Sequence, residues 1–170
     1  MERCLDSSFD RRSLAAGWLL VCAGIAGCSG LGSPPLRAGD ATAAVTARLG
    51  APTERRALPA GGERLVYTRG PLGRGTTMVD LGADGRVLAA FEALSAERRA
   101  AVEPGMSAQR LREHLGPPAE QRRLALEGRQ LWAWRFPTYD CLWFAVTLDA
   151  GGRVLDAGEM TDPICDVDHD

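Results

Sequence analysis

The chain contains no lysine. All 20 basic residues are arginine, set against 22 acidic residues, for a formal net charge of −2. With charge this balanced and no dominant basic stripe, nucleic acid is excluded as the main partner. The missing lysine itself reads as the codon bias of a GC-rich genome and carries no functional weight. Histidine is nearly absent too, with two residues, and no Ser-His-Asp order or paired carboxylate set stands out. No apolar run is long enough for a helix to cross a bilayer; the longest, from Leu14 to Ala26, falls well short. Neither a cofactor nor a small-molecule substrate is expected.

What stands at the N-terminus is an address. Arg11-Arg12 precede the apolar run, and Ile25-Ala26-Gly27 close it in front of Cys28, the layout of a secretory signal. A cysteine behind two small residues resembles the lipobox of bacterial lipoproteins. The resemblance implies that Cys28 becomes residue 1 of the exported chain and carries a diacylglycerol and an N-acyl chain. One acyl chain binds only marginally, at ~0.8 kcal/mol per buried CH₂, so several are needed for stable anchoring. Ser29, where an Asp would favour the inner membrane, implies the outer one. Removing 1–27 leaves 143 residues, enough for one medium domain or two very small ones. Cys4 and Cys22 leave with the signal. Cys141 and Cys165 then form an even pair in an oxidising compartment, where a disulfide is expected. It would be worth roughly 3 kcal/mol by chain-entropy reasoning; two buried free thiols are the alternative.

From residue 36 the chain repeats itself. Leu36-Arg37-Ala38-Gly39-Asp40, Val45 and Leu49-Gly50-Ala51-Pro52 return 66 residues later as Val102-Glu103-Pro104-Gly105-Met106, Leu111 and Leu115-Gly116-Pro117-Pro118. After a one-residue slip Tyr67 matches Trp134, Val79 matches Val146, and Gly85-Arg86-Val87-Leu88 matches Gly152-Arg153-Val154-Leu155. Such agreement predicts two structural copies. Each reads as a helix, a turn and three strands. Ser107 caps the second helix, Leu111 and Leu115 share its face, and Gly116 stops it. In the first copy Asp40 or Thr42 is the cap, Val45 and Leu49 the face, and Gly50 the stop. Strands are predicted near 64–69, 76–82 and 85–91, and near 130–136, 142–149 and 152–158, joined by the tight turns Ala83-Asp84-Gly85 and Ala150-Gly151-Gly152. The fold class is therefore α+β: two tandem units, each a three-stranded antiparallel sheet with its apolar face on its own helix. The organisation is a lipoprotein signal (1–27), a lipidated flexible tether (28–38), a first repeat (39–94), a second (95–160) and a C-terminal tail (161–170). A short helix over Ser95–Val102 joins the copies.

Gly-Met-Ser at 105–107 opening a helix, Leu-Gly-Pro-Pro at 115–118 ending it, an aromatic strand, and then Gly-Arg-Val at 152–154 resemble the BamE-type (SmpA/OmlA) outer-membrane lipoprotein domain. The first copy departs from that pattern, with Gly39-Asp40-Ala41 at the helix start. The resemblance implies a periplasm-facing scaffold that contacts envelope proteins, with a link to outer-membrane protein assembly, and no reaction. A tandem duplication of a similar scaffold also occurs in β-lactamase inhibitor proteins. That architecture implies the alternative, a periplasmic inhibitor of a hydrolase.

Chemistry-bearing residues are few. His114, among charged neighbours on the second helix, reads as a solvated helix residue. His169, in Asp166-Val167-Asp168-His169-Asp170, reads as part of a frayed acidic tail, and no metal site is expected. Gly70-Pro71-Leu72-Gly73-Arg74-Gly75 joins two strands and reads as a hairpin loop, because a phosphate cradle needs a helix N-terminus behind it. Three residues are partner-binding candidates. By alternation Trp143 faces away from Phe144 and Val146, so it is either an exposed interface anchor or a ring covered by Thr161–Cys165. Tyr139 and Asp140 sit at a hairpin tip.

Overall fold

Two strands that alternation does not announce set the architecture. The computed structural model describes residues 36–70, 72–125 and 128–165; Cys28, the rest of the lipobox and His169 lie outside them. The first sheet is a four-stranded antiparallel meander: β1 (Glu54–Ala57), β2 (Glu63–Thr68), β3 (Thr76–Leu81) and β4 (Val87–Glu92). The second repeats it with β5 (Glu120–Arg123), β6 (Gln130–Arg135), β7 (Leu142–Leu148) and β8 (Val154–Thr161). The three-stranded α+β expectation is therefore wrong. Each unit carries four strands and the fold is mostly β, its helices α1 (Thr42–Leu49), α2 (Ala96–Ala100) and α3 (Ala108–Leu115) being short. The unforeseen strands are the outer ones, Glu-Arg-Arg-Ala and Glu-Gln-Arg-Arg. Short, charged edge strands of this kind discourage edge-to-edge association and show no apolar period.

The inner strands follow the alternation. Leu65 pairs with Val79 in the first sheet and Trp132 with Val146 in the second. A register shift falls at the same place in both, between Asp80 and Leu81 and between Thr147 and Leu148. Helices α1 and α3 start on the turn between the last two strands of their sheet. Ala108 N–H donates to Gly152 O at 2.8 Å, and Ser107 Oγ caps α3 by accepting from Arg110 N–H. In α1 the cap expectation fails. Its N-cap is Ala41, with no side-chain cap, and Thr42 instead turns its hydroxyl to Gly85 O at 2.6 Å.

The layers run α1, first sheet, α3, second sheet. Val45 of α1 packs on Leu65, Tyr67, Val79, Leu81 and Val87. Leu111 and Leu115 of α3 pack on Trp132, Trp134, Phe144, Val146 and Leu148, joined by Leu94 and Val102 from the connection. The first sheet also has an apolar reverse side, Val66, Met78 and Ala93 with Phe91, and the end of α3 rests on it. Gly116, at φ 85°, lies there so closely that an added Cβ would sit 3.0 Å from Thr76 Cγ2 and 3.2 Å from Met78 Cε. That position requires glycine twice over, for its left-handed backbone and for its missing side chain. Trp134 Nε1–H donates to Gly116 O at 3.1 Å, so the buried indole is satisfied.

Candidate functional site

The described parts of the loop joining β2 to β3 (69–70 and 72–75) and the loop joining β6 to β7 (136–141) lie side by side at one end of the sheets. Arg74 Nη1 donates to Thr138 O at 2.6 Å, and Gly75 N–H donates to Arg135 O at 2.9 Å. The hydroxyl of Thr138 accepts from Asp140 N–H at 3.1 Å, which shapes the second tip. Tyr139 stands fully out in solvent at 107% relative exposure, with Leu72 at 65% on the neighbouring tip and Ile164 at 43% behind. Asp140 is exposed beside it. The described fold begins at the opposite end: Leu36 packs on the first core, and Gly39 N–H donates to Val87 O at 2.8 Å beside the β3–β4 turn.

Cavities open between the repeats. One, of about 280 Å³, lies under the tips and is walled by Leu94, Pro117, Pro118 and Trp134. Another, of about 550 Å³, runs between β1 and α3, lined by Arg56, Leu58, Pro59, Arg64, Arg112 and Glu113. Its guanidinium groups are already answered. Arg64 holds Asp80 and donates to Glu113 O, and Arg56 holds Glu54. The Arg56 hydrogen bond outweighs burial and, with the charges of Arg56 and Arg112, keeps the Glu54 carboxyl below its usual range.

Trp143 is not a surface residue. It is 1% exposed, with the guanidinium carbons of Arg135 and Arg122 at 5.4 and 5.8 Å from its ring centroid. Arg135 is held by Asp162, whose Oδ1 lies 2.9 Å from Nη2, and Nε pairs with the other oxygen. Two arginines therefore lie over the ring, and Asp162, in the segment after β8, binds one of them. Asp162 is 2% exposed, and burial pushes its carboxyl up. The Arg135 and Ile164 N–H bonds, with the charges of Arg135 and Arg74, outweigh this and leave it below the ordinary carboxylate range. The same segment brings Cys165 to Cys141 as a disulfide-capable pair, Cα atoms 6.6 Å apart. Cys141 itself adopts φ 50°, the left-handed region, at the foot of the Tyr139 tip.

His114 also departs from its expectation. It is half-buried against α2, with Nε2 2.8 Å from Arg98 O and Nδ1 3.2 Å from Arg98 Nη2. Among the described residues no group of three His, Cys, Asp or Glu side chains could hold a metal ion. Neither the Arg135–Asp162 pair nor the Arg98–His114 contact has a sequence signature, since each joins residues whose nearness only the tertiary fold creates.

No protein-family model matches the chain, and no curated protein matches it either. The BamE-type resemblance therefore rests on its motifs alone. Among solved structures, a candidate beta-lactamase inhibitor protein from Streptococcus mutans is similar at 14% identity, covering 72% of this chain and 83% of its own, with a TM-score of 0.33. A DUF4309 family protein from Bacillus subtilis is similar at 13% identity over 72% and 79%, with a TM-score of 0.30. An extracellular protein containing an SCP domain from Bacillus anthracis reaches 13% identity over 75% of this chain and 45% of its own, also at 0.30. Likeness at these scores fixes neither the fold nor the activity of this chain.

Proposed function

We propose that the protein is an outer-membrane lipoprotein, held by lipid on Cys28, that binds envelope or periplasmic proteins through its paired hairpin tips. The observation that supports this most is the exposure of Tyr139 at 107%, with Leu72 and Ile164 open at the same end. One wet apolar side chain is ordinary. Three at one end, two of them on loops joined by the Arg74–Thr138 bond and the third in the turn after β8, make a site where a partner can gain by excluding water. Tyrosine suits that use, because it offers a large amphipathic surface at small rotamer cost. The described chain enters at the other end of the sheets, at Leu36, so the tips lie away from the point where the tether joins the fold.

A photoreactive amino acid at Tyr139, compared with one at Leu88, tests the surface; Leu88 is 60% exposed at the start of β4, at the opposite end of the first sheet. In native membranes Tyr139 should give a discrete adduct and Leu88 none. Equal adducts at both positions, or none at either, would remove the reading. If the captured protein is a hydrolase that the purified chain inhibits on titration, the role narrows to inhibition. Radiolabelled palmitate should enter the wild type and not the Cys28→Ala variant. Equal labelling of the two would sink the anchor.

A further inference from the structure

We propose that His114 is a proton-operated latch between α2 and α3: the neutral ring ties the helices together, and a second proton undoes the tie. The geometry settles the tautomer. Arg98 O is an acceptor only, so Nε2 carries the hydrogen and donates to it at 2.8 Å; Nδ1, 3.2 Å from Arg98 Nη2, must then accept. The same guanidinium donates to His114 O, so one arginine of α2 grips both the ring and the backbone of α3. It also lies over the Phe91 ring at 4.6 Å, on the reverse side of the first sheet. One contact therefore joins α2, α3 and β4.

A proton on Nδ1 would turn that acceptor into a donor aimed at a cation. The groups facing the ring make this unfavourable. Arg98 lies on α2, Arg110 on α3 and Arg64 on β2, while Asp80 of β3 is already occupied by Arg64. Burial is the largest influence and pushes the imidazole down. The Arg98 carbonyl bond pulls the other way, and the charges of Arg98, Arg110 and Arg64 add to the lowering. The tie is thus complete above the free imidazole value of ~6.5 and drains away as pH falls below it. Arg99, the next residue of α2, grips Glu159 at 2.8 Å and stacks on Phe136 at 3.7 Å. Acid should therefore loosen the Arg98 side of the joint while α2 stays tethered to the second sheet.

The full chain carrying His169→Gln leaves one imidazole to follow by NMR. Hydrogen exchange of the Arg99, Ala101 and Val102 amides, compared with a further His114→Gln variant, reads the latch. Glutamine keeps a donor and an acceptor but cannot take the proton. The His114 titration should fall below the free-imidazole value. Protection of those amides should drop by up to about tenfold per pH unit below 6.5 in the chain that keeps His114, and stay level in the His114→Gln variant. A His114 titration at or above the free value, or the same loss of protection in both chains, would overturn the proposal. The first readout needs no His114 variant and stands even if that variant fails to fold.

Discussion

Asp162→Ala should be the most damaging single change to a polar side chain here. Asp162 is 2% and Arg135 8% exposed, and their oxygens and nitrogens meet twice. Removing one partner of such a buried pair typically costs about 3–5 kcal/mol, because the other charge stays buried unanswered. Glu120 Oε2, 3.7 Å from Arg135 Nη2, can take up part of that charge, which lowers the expected loss to about 2–4 kcal/mol. With a urea m-value near 2 kcal/mol per molar, the midpoint should fall by about 1–2 M. The effect should not add to that of Arg135→Met: the double variant should recover about 1 kcal/mol or more of the summed losses. The pH dependence has a definite sign. Asp162 titrates below the ordinary carboxylate value of ~3.9, so its contribution is whole above that value and lost as pH falls through the lower folded-state one. Asp162→Asn should accordingly lose less stability on acidification than the wild type. Additive singles, or a midpoint shift under about 0.3 M, would show that the pair does not hold the segment after β8 in place.

Gly116→Ala should destabilise by roughly 1–3 kcal/mol in thermal or urea unfolding, because the left-handed backbone and the crowding at Thr76 and Met78 both penalise a Cβ; the same change at Gly50, where a Cβ meets nothing within 4 Å, should cost less. Thiol blocking followed by mass measurement should leave Cys141 and Cys165 unlabelled until reductant is added, and reduction should lower stability by about 3 kcal/mol for a separation of 24 residues. Labelling of both without reductant would place them as free thiols.

The parts of the fold legible in the sequence are those with a period. Leu142, Phe144, Val146 and Leu148 alternate and form β7, and the Leu111/Leu115 pair between Ser107 and Gly116 gives α3 its face and both ends. The outer strands carry no such signal, since arginine and glutamate suit an edge whether or not a sheet stops there. The tip residues Tyr139 and Asp140 could be placed from their hairpin, whereas alternation gave Trp143 a face without saying what lies over it. Arg135 and Asp162, 27 residues apart, meet there through cross-strand neighbours that no local window contains. His114 looked like surface because the groups that flank it in sequence are charged. Its real neighbour is Arg98, 16 residues earlier on another helix.

The placing of α3 between two sheets makes the duplication indivisible. Its leucines fill the hydrophobic layer of the later half, and its glycine end closes the reverse side of the earlier one. Severing the polypeptide after Leu94 would strand Val66, Met78 and Phe91 without a lid, so the earlier half on its own would clump. The earlier copy thus depends on the later one for its cover, whereas the later copy carries α3 as its own helix.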